Sequence, residues 1–292
     1  MKPIMKFHNV CYSYRPGPGV LRGVDLTVEA GEIVGLLGRN GAGKTTLLHL
    51  AMGLLKPASG DVRVFDLAPH KFGVEIKKRI GFVSEQQVLP PAMTVAHVMD
   101  YHKSLFQDWD VDLQQKLLQR FPLQPNARVR TLSKGQARQL ALLCGISHRP
   151  ELLILDEPGG GLDPAARREF LEASIQLLNE SGTTIFFSSH HMTDVERMAS
   201  RIVLVEDGVP LIDAAIDELR ENFCLVSVPI DGHWNEENLT ALDSCLRVRK
   251  RNSAIHAVFK GSSEEISAGM PGARCIALPL EEMFVELLGA NS

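Results

Sequence analysis

The sequence predicts an α/β domain built on a largely parallel sheet, followed by a small α+β unit. Three observations carry this expectation. The apolar run from Ile33 to Leu37 enters a glycine-rich turn, and residues Thr45 to Leu54 then show helical periodicity. Strand signals at Leu152 to Leu155, Thr184 to Ser188 and Ile202 to Val205 alternate with a helix over Pro164 to Glu180. Such near-continuous apolar strands belong to sheets covered on both faces. After Glu218 the texture changes to short strands and helices in the order βαββαβ, the order of a ferredoxin-like unit.

Taken in order, residues up to about Val64 read as β-rich, with turn signals at Pro16 to Gly19 and at Ala30-Gly31. From about Pro90 to Arg149 strand signals vanish, and Val95 to Phe106, Leu113 to Phe121 and Gly135 to His148 read as helices. A helical subdomain over about 90–150 is therefore expected inside an α/β domain spanning 1–218. The remainder, 219–292, reads as strand Phe223 to Val228, helix Asn235 to Asp243, strands Leu246 to Lys250 and Ile255 to Lys260, and helix Ser263 to Ala268. Strand Arg274 to Leu278 and an amphipathic helix from Glu281 to Leu288 complete it.

A length of 292 residues and a hydrophobic fraction of 45% suit one large core plus an appendage. With 31 Lys and Arg against 35 Asp and Glu, the formal charge of −4 offers no general attraction to nucleic acid or anionic lipid. The cluster Arg247-Val248-Arg249-Lys250-Arg251 alternates across an expected β-hairpin and reads as a solvated face, so no nucleic-acid partner is expected. The five cysteines are scattered without the density of a disulfide framework or the paired spacing of a zinc site, which points to reduced thiols. No apolar run approaches the roughly 18 residues a membrane span needs, and the start carries no apolar signal core. The expectation is a chain that neither spans the membrane nor is secreted.

Gly38-Arg39-Asn40-Gly41-Ala42-Gly43-Lys44-Thr45 fits G-x-x-x-x-G-K-[ST] between an expected strand and an expected helix, the context that gives the pattern its meaning. The glycines let successive N–H groups turn toward phosphate oxygens, and the helix N-terminus adds positive potential. Lys44 supplies a point charge to the β- and γ-phosphates, and the Thr45 hydroxyl can ligate Mg²⁺. By itself the motif specifies only a nucleoside triphosphate. Downstream, the apolar strand Leu152 to Leu155 delivers Asp156 and Glu157 at its C-terminal edge, where ligands bind in open α/β sheets. Asp156 is placed to hold Mg²⁺ directly or through water, and Glu157 to orient and deprotonate an attacking water.

Leu132-Ser133-Lys134-Gly135-Gln136 resembles the LSGGQ signature of ABC ATPases, with Lys134 in place of the first glycine. As a peptide it is also an ordinary serine N-cap before a helix. Further matches follow in the family's order. Tyr14 falls where the family places an aromatic against adenine, although Tyr12 lies two residues away and either suits a core position. Gly81-Phe82-Val83-Ser84-Glu85 resembles the approach to the Q-loop, with Glu85 where glutamine is usual and Gln86 next to it. Gly161-Leu162-Asp163-Pro164 resembles the D-loop, preceded by Gly159 and Gly160 instead of small polar residues, an exchange that would loosen its contact. Ser188-Ser189-His190 resembles the H-loop, and His191 beside it leaves the chemistry ambiguous except for aligned spacing.

The resemblance covers about Met5 to Asp213 and implies a P-loop NTPase of the ABC ATPase type. Its β-rich N-terminal part, parallel-sheet core and helical signature subdomain would be joined here to the small α+β C-terminal unit. It implies ATP and Mg²⁺ as ligands. The ATP-binding residues would be Tyr14, Gly38, Asn40, Gly41, Ala42, Gly43, Lys44, Thr45 and Thr46, with Ser133, Gly135 and Gln136 facing the γ-phosphate held by an opposite subunit. The metal would lie at Thr45, Glu85 and Asp156, and catalysis with Glu157 and His190. It also implies two partners: a second copy or a homologous ATPase subunit, and an integral membrane permease that holds the chain on the cytoplasmic face of the cell membrane. The tail Pro279 to Gly289 and the run Asp108-Trp109-Asp110 are similar to exporter-type members, the ABC-2 group. An importer subunit and a soluble ABC ATPase acting on nucleic acid or ribosomes are the alternatives. The latter carry coiled-coil insertions or two cassettes, neither of which is seen here.

Overall fold

The computed structural model describes residues 2–14, 17–86, 89–230, 233–251, 254–270, 273–276 and 279–288. The expected turn at Pro16, the end of the expected strand at Leu278 and the tail's Gly289 lie outside the described residues. Two compact units are present, Met1–Ile212 and Asp213–Ser292. The division falls upstream of the expected break after Glu218.

In the first unit, β1 (Pro3–Ser13), β2 (Gly19–Glu29), β3 (Ile33–Leu37), α1 (Lys44–Ala51) and β4 (Ser59–Val64) lead to α2 (Gly73–Lys77) and β5 (Ile80–Val83). The helical insertion comprises α3 (Val95–Leu105), α4 (Val111–Arg120) and α5 (Lys134–Ile146), with a 3-10 turn at Val129–Thr131. Then come β6 (Leu152–Leu155), α6 (Pro164–Ser181), β7 (Thr184–Ser189), α7 (Met192–Met198), β8 (Arg201–Glu206) and β9 (Val209–Ala215). The second unit holds α8 (Ile216–Glu221), β10 (Phe223–Pro229), α9 (Glu236–Thr240), β11 (Cys245–Arg251), β12 (Ala254–Lys260), α10 (Ser263–Gly269), β13 (Arg274–Ile276) and α11 (Leu280–Leu288).

A three-stranded antiparallel sheet, β2-β1-β4, faces a six-stranded sheet of order β5-β6-β7-β3-β8-β9, in which β5, β6, β7, β3 and β8 pair in parallel. The interior strand β6 is Leu-Leu-Ile-Leu with every residue buried, which is why its sequence shows no alternation. One apolar cluster joins both sheets through α1: Phe7 and Val24 from the antiparallel sheet and Ile154 and Phe186 from the parallel one meet Leu47 and Leu48. Removing each such side chain from water contributes about 1.5–3 kcal/mol.

Local chemistry sets the helix ends. Helix α1 stops at Ala51, short of the expected Leu54, because Gly53 adopts φ 67° and the Leu54 and Leu55 amides both donate to the His49 carbonyl. A Cβ at Gly53 would lie 2.3 Å from the Pro69 carbonyl oxygen. Thr94 and Asp110 cap α3 and α4 by accepting from the His97 and Leu113 amides. The expected helix from Asn235 is shorter than anticipated, since Asn235 is its cap and Thr240 its last residue.

The second unit forms an antiparallel sheet of order β11-β12-β10-β13. One face packs Val226, Ile255 and Phe259 against Leu239 of α9 and Met270 after α10. The other face carries Arg249 opposite His256, and α11 packs there, with its buried Glu286 3.9 Å from the His256 ring. Arg247 and Arg249 are consequently half-buried, which corrects the expectation of a solvated basic face. The strand alternation is as expected, but a helix covers the side on which those arginines lie. Among the described residues no helix is long and apolar enough to cross a membrane.

His148, just past α5, ties the helical insertion to the sheet. Its Nε2 lies 3.2 Å from the Ile80 carbonyl oxygen, and its ring stacks on Phe106 at 3.9 Å. Burial pushes its pKa from 6.5 down to about 4. The neutral ring is therefore favoured in the fold, and the unfolded chain binds more protons between those values. Stability should be full above about pH 6.5 and fall as pH drops through about 4. Compared with His148→Asn, the wild-type unit should lose up to about 3 kcal/mol across that window, read from urea midpoints at each pH.

Candidate functional site

Parallel register brings the functional loops to one sheet edge. Leu37 aligns with Ser189, Leu155 with Phe187 and Val83 with Leu155, so the segments after β3, β6, β7 and β5 emerge together. The turn after β3 needs its glycines. Gly43 sits at φ 104°, and a Cβ there would lie 2.6 Å from Leu21 Cδ2. A Cβ at Gly38 would lie 2.4 Å from the Val205 carbonyl oxygen. Gly43 is also the N-cap of α1, and no side chain caps that helix, so its start is left to an incoming acceptor as an anion site requires.

Lys44 is buried. Its Nζ donates to the carbonyls of Gly38 at 2.7 Å and Arg39 at 3.3 Å, and lies 3.3 Å from Glu157 Oε1. The Thr45 hydroxyl donates to Asp156 Oδ1 at 3.1 Å, and the Ser188 hydroxyl donates to the same oxygen at 2.7 Å. Ser188 Oγ in turn accepts from the Glu157 amide at 2.8 Å. Glu157 adopts φ 48°, unusual for a residue with a side chain, and such a conformation costs of order ~1–3 kcal/mol unless the surroundings enforce it. Its Oε2 meets His190 Nδ1 at 2.6 Å and accepts from the His190 amide at 3.3 Å.

These groups open into a cleft of about 450 Å³ lined by Tyr14, Arg39, Asn40, Gly41, Gly43, Lys44, Thr45, Thr46, Glu85, Glu157 and His190. Gly38 stands behind it as an acceptor for Lys44, Ala42 is buried in the core, and Asp156 is buried beneath Thr45. Tyr14 is half exposed with its hydroxyl 3.3 Å from Thr46 Oγ1, whereas Tyr12 packs on the core. His190 rather than His191 meets Glu157. Burial first, then the charges of His190 and Arg167, lowers the His191 pKa.

Ser133, Gly135 and Gln136 are not brought into this cleft. They start α5 in a capping box, in which the Gln136 amide donates to Ser133 Oγ at 3.1 Å and Gln136 Oε1 accepts from the Ser133 amide at 3.0 Å. The Gln136 side-chain amide also donates to the Pro122 carbonyl, so its polar ends are engaged in holding the helix start.

Two groups escaped the sequence reasoning. Ser188 was visible only as part of a motif, yet it links Asp156 to Glu157. Arg138 is buried and donates to the carbonyls of Glu157, Pro158, Gly160 and Glu85. Burial lowers its pKa, opposed by the charges of Glu85, Glu157 and Asp156. The available signal was an arginine on the same helical stripe as Ala141, Leu142 and Gly145.

A family model described as "ABC transporter" matches residues 21–160. The ABC transporter ATP-binding protein YtrB of Bacillus subtilis (strain 168) is 34% identical over 231 residues, 78% of this chain and 79% of that protein. The uncharacterized ABC transporter ATP-binding protein YhaQ of the same organism is 31% identical over 281 residues, 92% of this chain and 93% of that one. Among solved structures, the dimeric post-hydrolysis state of the ATP-binding cassette MJ0796 bound to ADP and Pi superposes with a TM-score of 0.65 at 24% identity. The match covers 73% of this chain and 98% of that one, a likeness of fold.

The cradle is strained by any side chain at its last glycine. Gly43→Ala should cost about 1–3 kcal/mol in a urea titration, because it adds a left-handed penalty to a clash with Leu21. An unchanged midpoint would contradict this account of the turn.

Proposed function

This chain belongs to the ABC transporter family, and we propose that within it the protein is an ATP-hydrolysing subunit that closes as a dimer around two MgATP to drive export through a separate membrane permease. The observation that carries the proposal is the convergence of Lys44, the Thr45–Asp156 pair and the Glu157–His190 pair on one cleft at the edge of a parallel sheet.

The site fits a triphosphate. A glycine-rich turn, an uncapped helix start and a buried ammonium supply donors and positive potential where phosphate oxygens would lie. Tyr14, half exposed at the cleft, offers a ring face to the adenine. An incoming phosphate competes with Glu157 for Lys44, and the carboxylate is then free to accept a proton. The Thr45 hydroxyl and the Asp156 carboxylate, with Glu85 nearby in the lining, are the oxygen donors a hard divalent cation takes. Mg²⁺ held there would neutralise charge developing on the phosphate oxygens.

Glu157 accepts a proton from water as the water oxygen bonds to the γ-phosphorus and the bond to the ADP oxygen breaks. His190, joined to Glu157 through both its ring and its backbone, fixes that carboxylate and reaches the cleft wall. The Ser133 helix start is exposed and outside its own cleft, so a second copy or a homologous subunit is the partner whose triphosphate it would meet. Closure then neutralises each triphosphate from two chains, and hydrolysis removes that bridge. A permease would translate this two-state closure into transport and hold the chain at the cytoplasmic face of the membrane. The export direction rests on the tail and on Asp108-Trp109-Asp110. The half-burial of Arg247 and Arg249 removes the main support for a nucleic-acid reading.

Glu157→Gln removes the base and keeps the shape. Turnover should fall by ~10²–10⁴ while ATP affinity stays within a few-fold, and wild-type hydrolysis would refute the assignment. On the helical insertion, Tyr101 and Leu105 are exposed apolar side chains of α3 suited to a permease contact. Replacing both with serine should abolish permease-stimulated ATPase and spare basal turnover; equal loss of both activities would count against docking there.

A further inference from the structure

We propose that Arg138 is a positioning residue for hydrolysis, gathering the chain after β6 and the segment at Glu85 onto one buried guanidinium so that the Glu157 carboxylate is held in its reactive place. The proposal rests on the reading of Glu157 as the base. Arg138 belongs to α5, the same helix that begins at Ser133. One of its terminal nitrogens donates to the carbonyls of Glu157 at 3.0 Å, Pro158 at 3.1 Å and Gly160, and the other donates to the Glu85 carbonyl at 2.5 Å. No carboxylate is needed to satisfy it, because backbone oxygens from two loops converge on it.

The consequence for Glu157 is geometric. Three carbonyls within four residues can point at one cation only if the chain curls, and the curl is closed by the Gly160 amide donating to the Glu157 carbonyl at 3.0 Å. That curl accompanies the left-handed φ of 48° at Glu157, so the strain is enforced by a charge-assisted cluster rather than by local preference. The planar fork of guanidinium reaches both loops at once, which the single ammonium of lysine cannot reproduce.

The two glycines ahead of Gly161 make room for this arrangement. A Cβ at Gly160 would sit 3.3 Å from the Glu157 carbonyl oxygen and 3.7 Å from the Arg138 guanidinium. A Cβ at Gly159 would lie 2.3 Å from Asp194 Oδ2 and 2.5 Å from Arg167 Nε, inside the ion pair that joins α6 to α7. The loop is therefore packed on both sides by arginines.

The test is a double-mutant cycle on the full-length chain, with ATP turnover measured for Arg138→Lys, Arg138→Gln, Glu157→Gln and the doubles. Thermal melting and ATP binding are followed in parallel. Arg138→Lys, which keeps the charge and the stem for folding, should lower kcat about 10- to 100-fold with KM for ATP within about threefold. In the Glu157→Gln background, either change at Arg138 should alter the residual single-turnover rate by less than about twofold, since the group it positions is gone. Three results would overturn the proposal: wild-type kcat for both Arg138 variants, a raised KM with unchanged kcat, or an undiminished loss in the Glu157→Gln background. Wild-type turnover by Glu157→Gln alone would instead overturn the base assignment, and with it any role for Arg138 through that residue.

Discussion

A buried ammonium and a buried carboxylate, Lys44 and Glu157, stand 3.3 Å apart at the mouth of a parallel sheet, and the rest of the site follows from keeping them there. Removing two charges from water costs several kcal/mol each, so neither would stay buried without the other and without further hydrogen bonds. Lys44 gains the carbonyls of Gly38 and Arg39; Glu157 gains His190, and its backbone gains Ser188 and Arg138. A triphosphate is the kind of anion that can replace a carboxylate beside Lys44, and that exchange of partners would convert a structural ion pair into a poised base. Binding and chemistry would thus share one electrostatic contact.

The parallel register makes this sharing possible. Four strands end together, each contributing one short loop, and a slip in any of them would move a functional group away from the others. The apolar cluster that locks α1 between two sheets fixes the glycine-rich turn against the same frame. The cleft is consequently built on rigid elements, while Ser133 and the start of α5 face outward, where another chain can meet them.

Much of this was legible in the sequence because the signals are local. A glycine turn between an apolar strand and a helix, two acids at a strand end and a serine-capped helix each declare themselves within ten residues or so. Strand β6 lies where the apolar run Leu152 to Leu155 suggested, since a fully buried strand has no other composition available. What escaped is tertiary. Residue chemistry alone does not distinguish Tyr14 at the cleft from Tyr12 on the core, or His190 beside Glu157 from His191, and only the spacing of the resembling motifs favours Tyr14 and His190. The short helices α2, α7 and α8 carry too few residues to show a period. The covering of Arg247 and Arg249 by α11 pairs segments far apart in the chain, and the carbonyl cluster around Arg138 joins loops more than fifty residues apart in sequence at its Glu85 contact. Side-chain pattern cannot reveal backbone acceptors.

The central claim is that a triphosphate on the Lys44 turn completes its coordination from the Ser133 helix start of a second chain. It is tested most directly by the mass of the protein in solution, measured by light scattering with saturating Mg²⁺ and a non-hydrolysable ATP analogue. A shift from one chain to two that needs the nucleotide and is lost on Ser133→Arg is the predicted result. A mass that stays at one chain, even with the membrane component present, would contradict it.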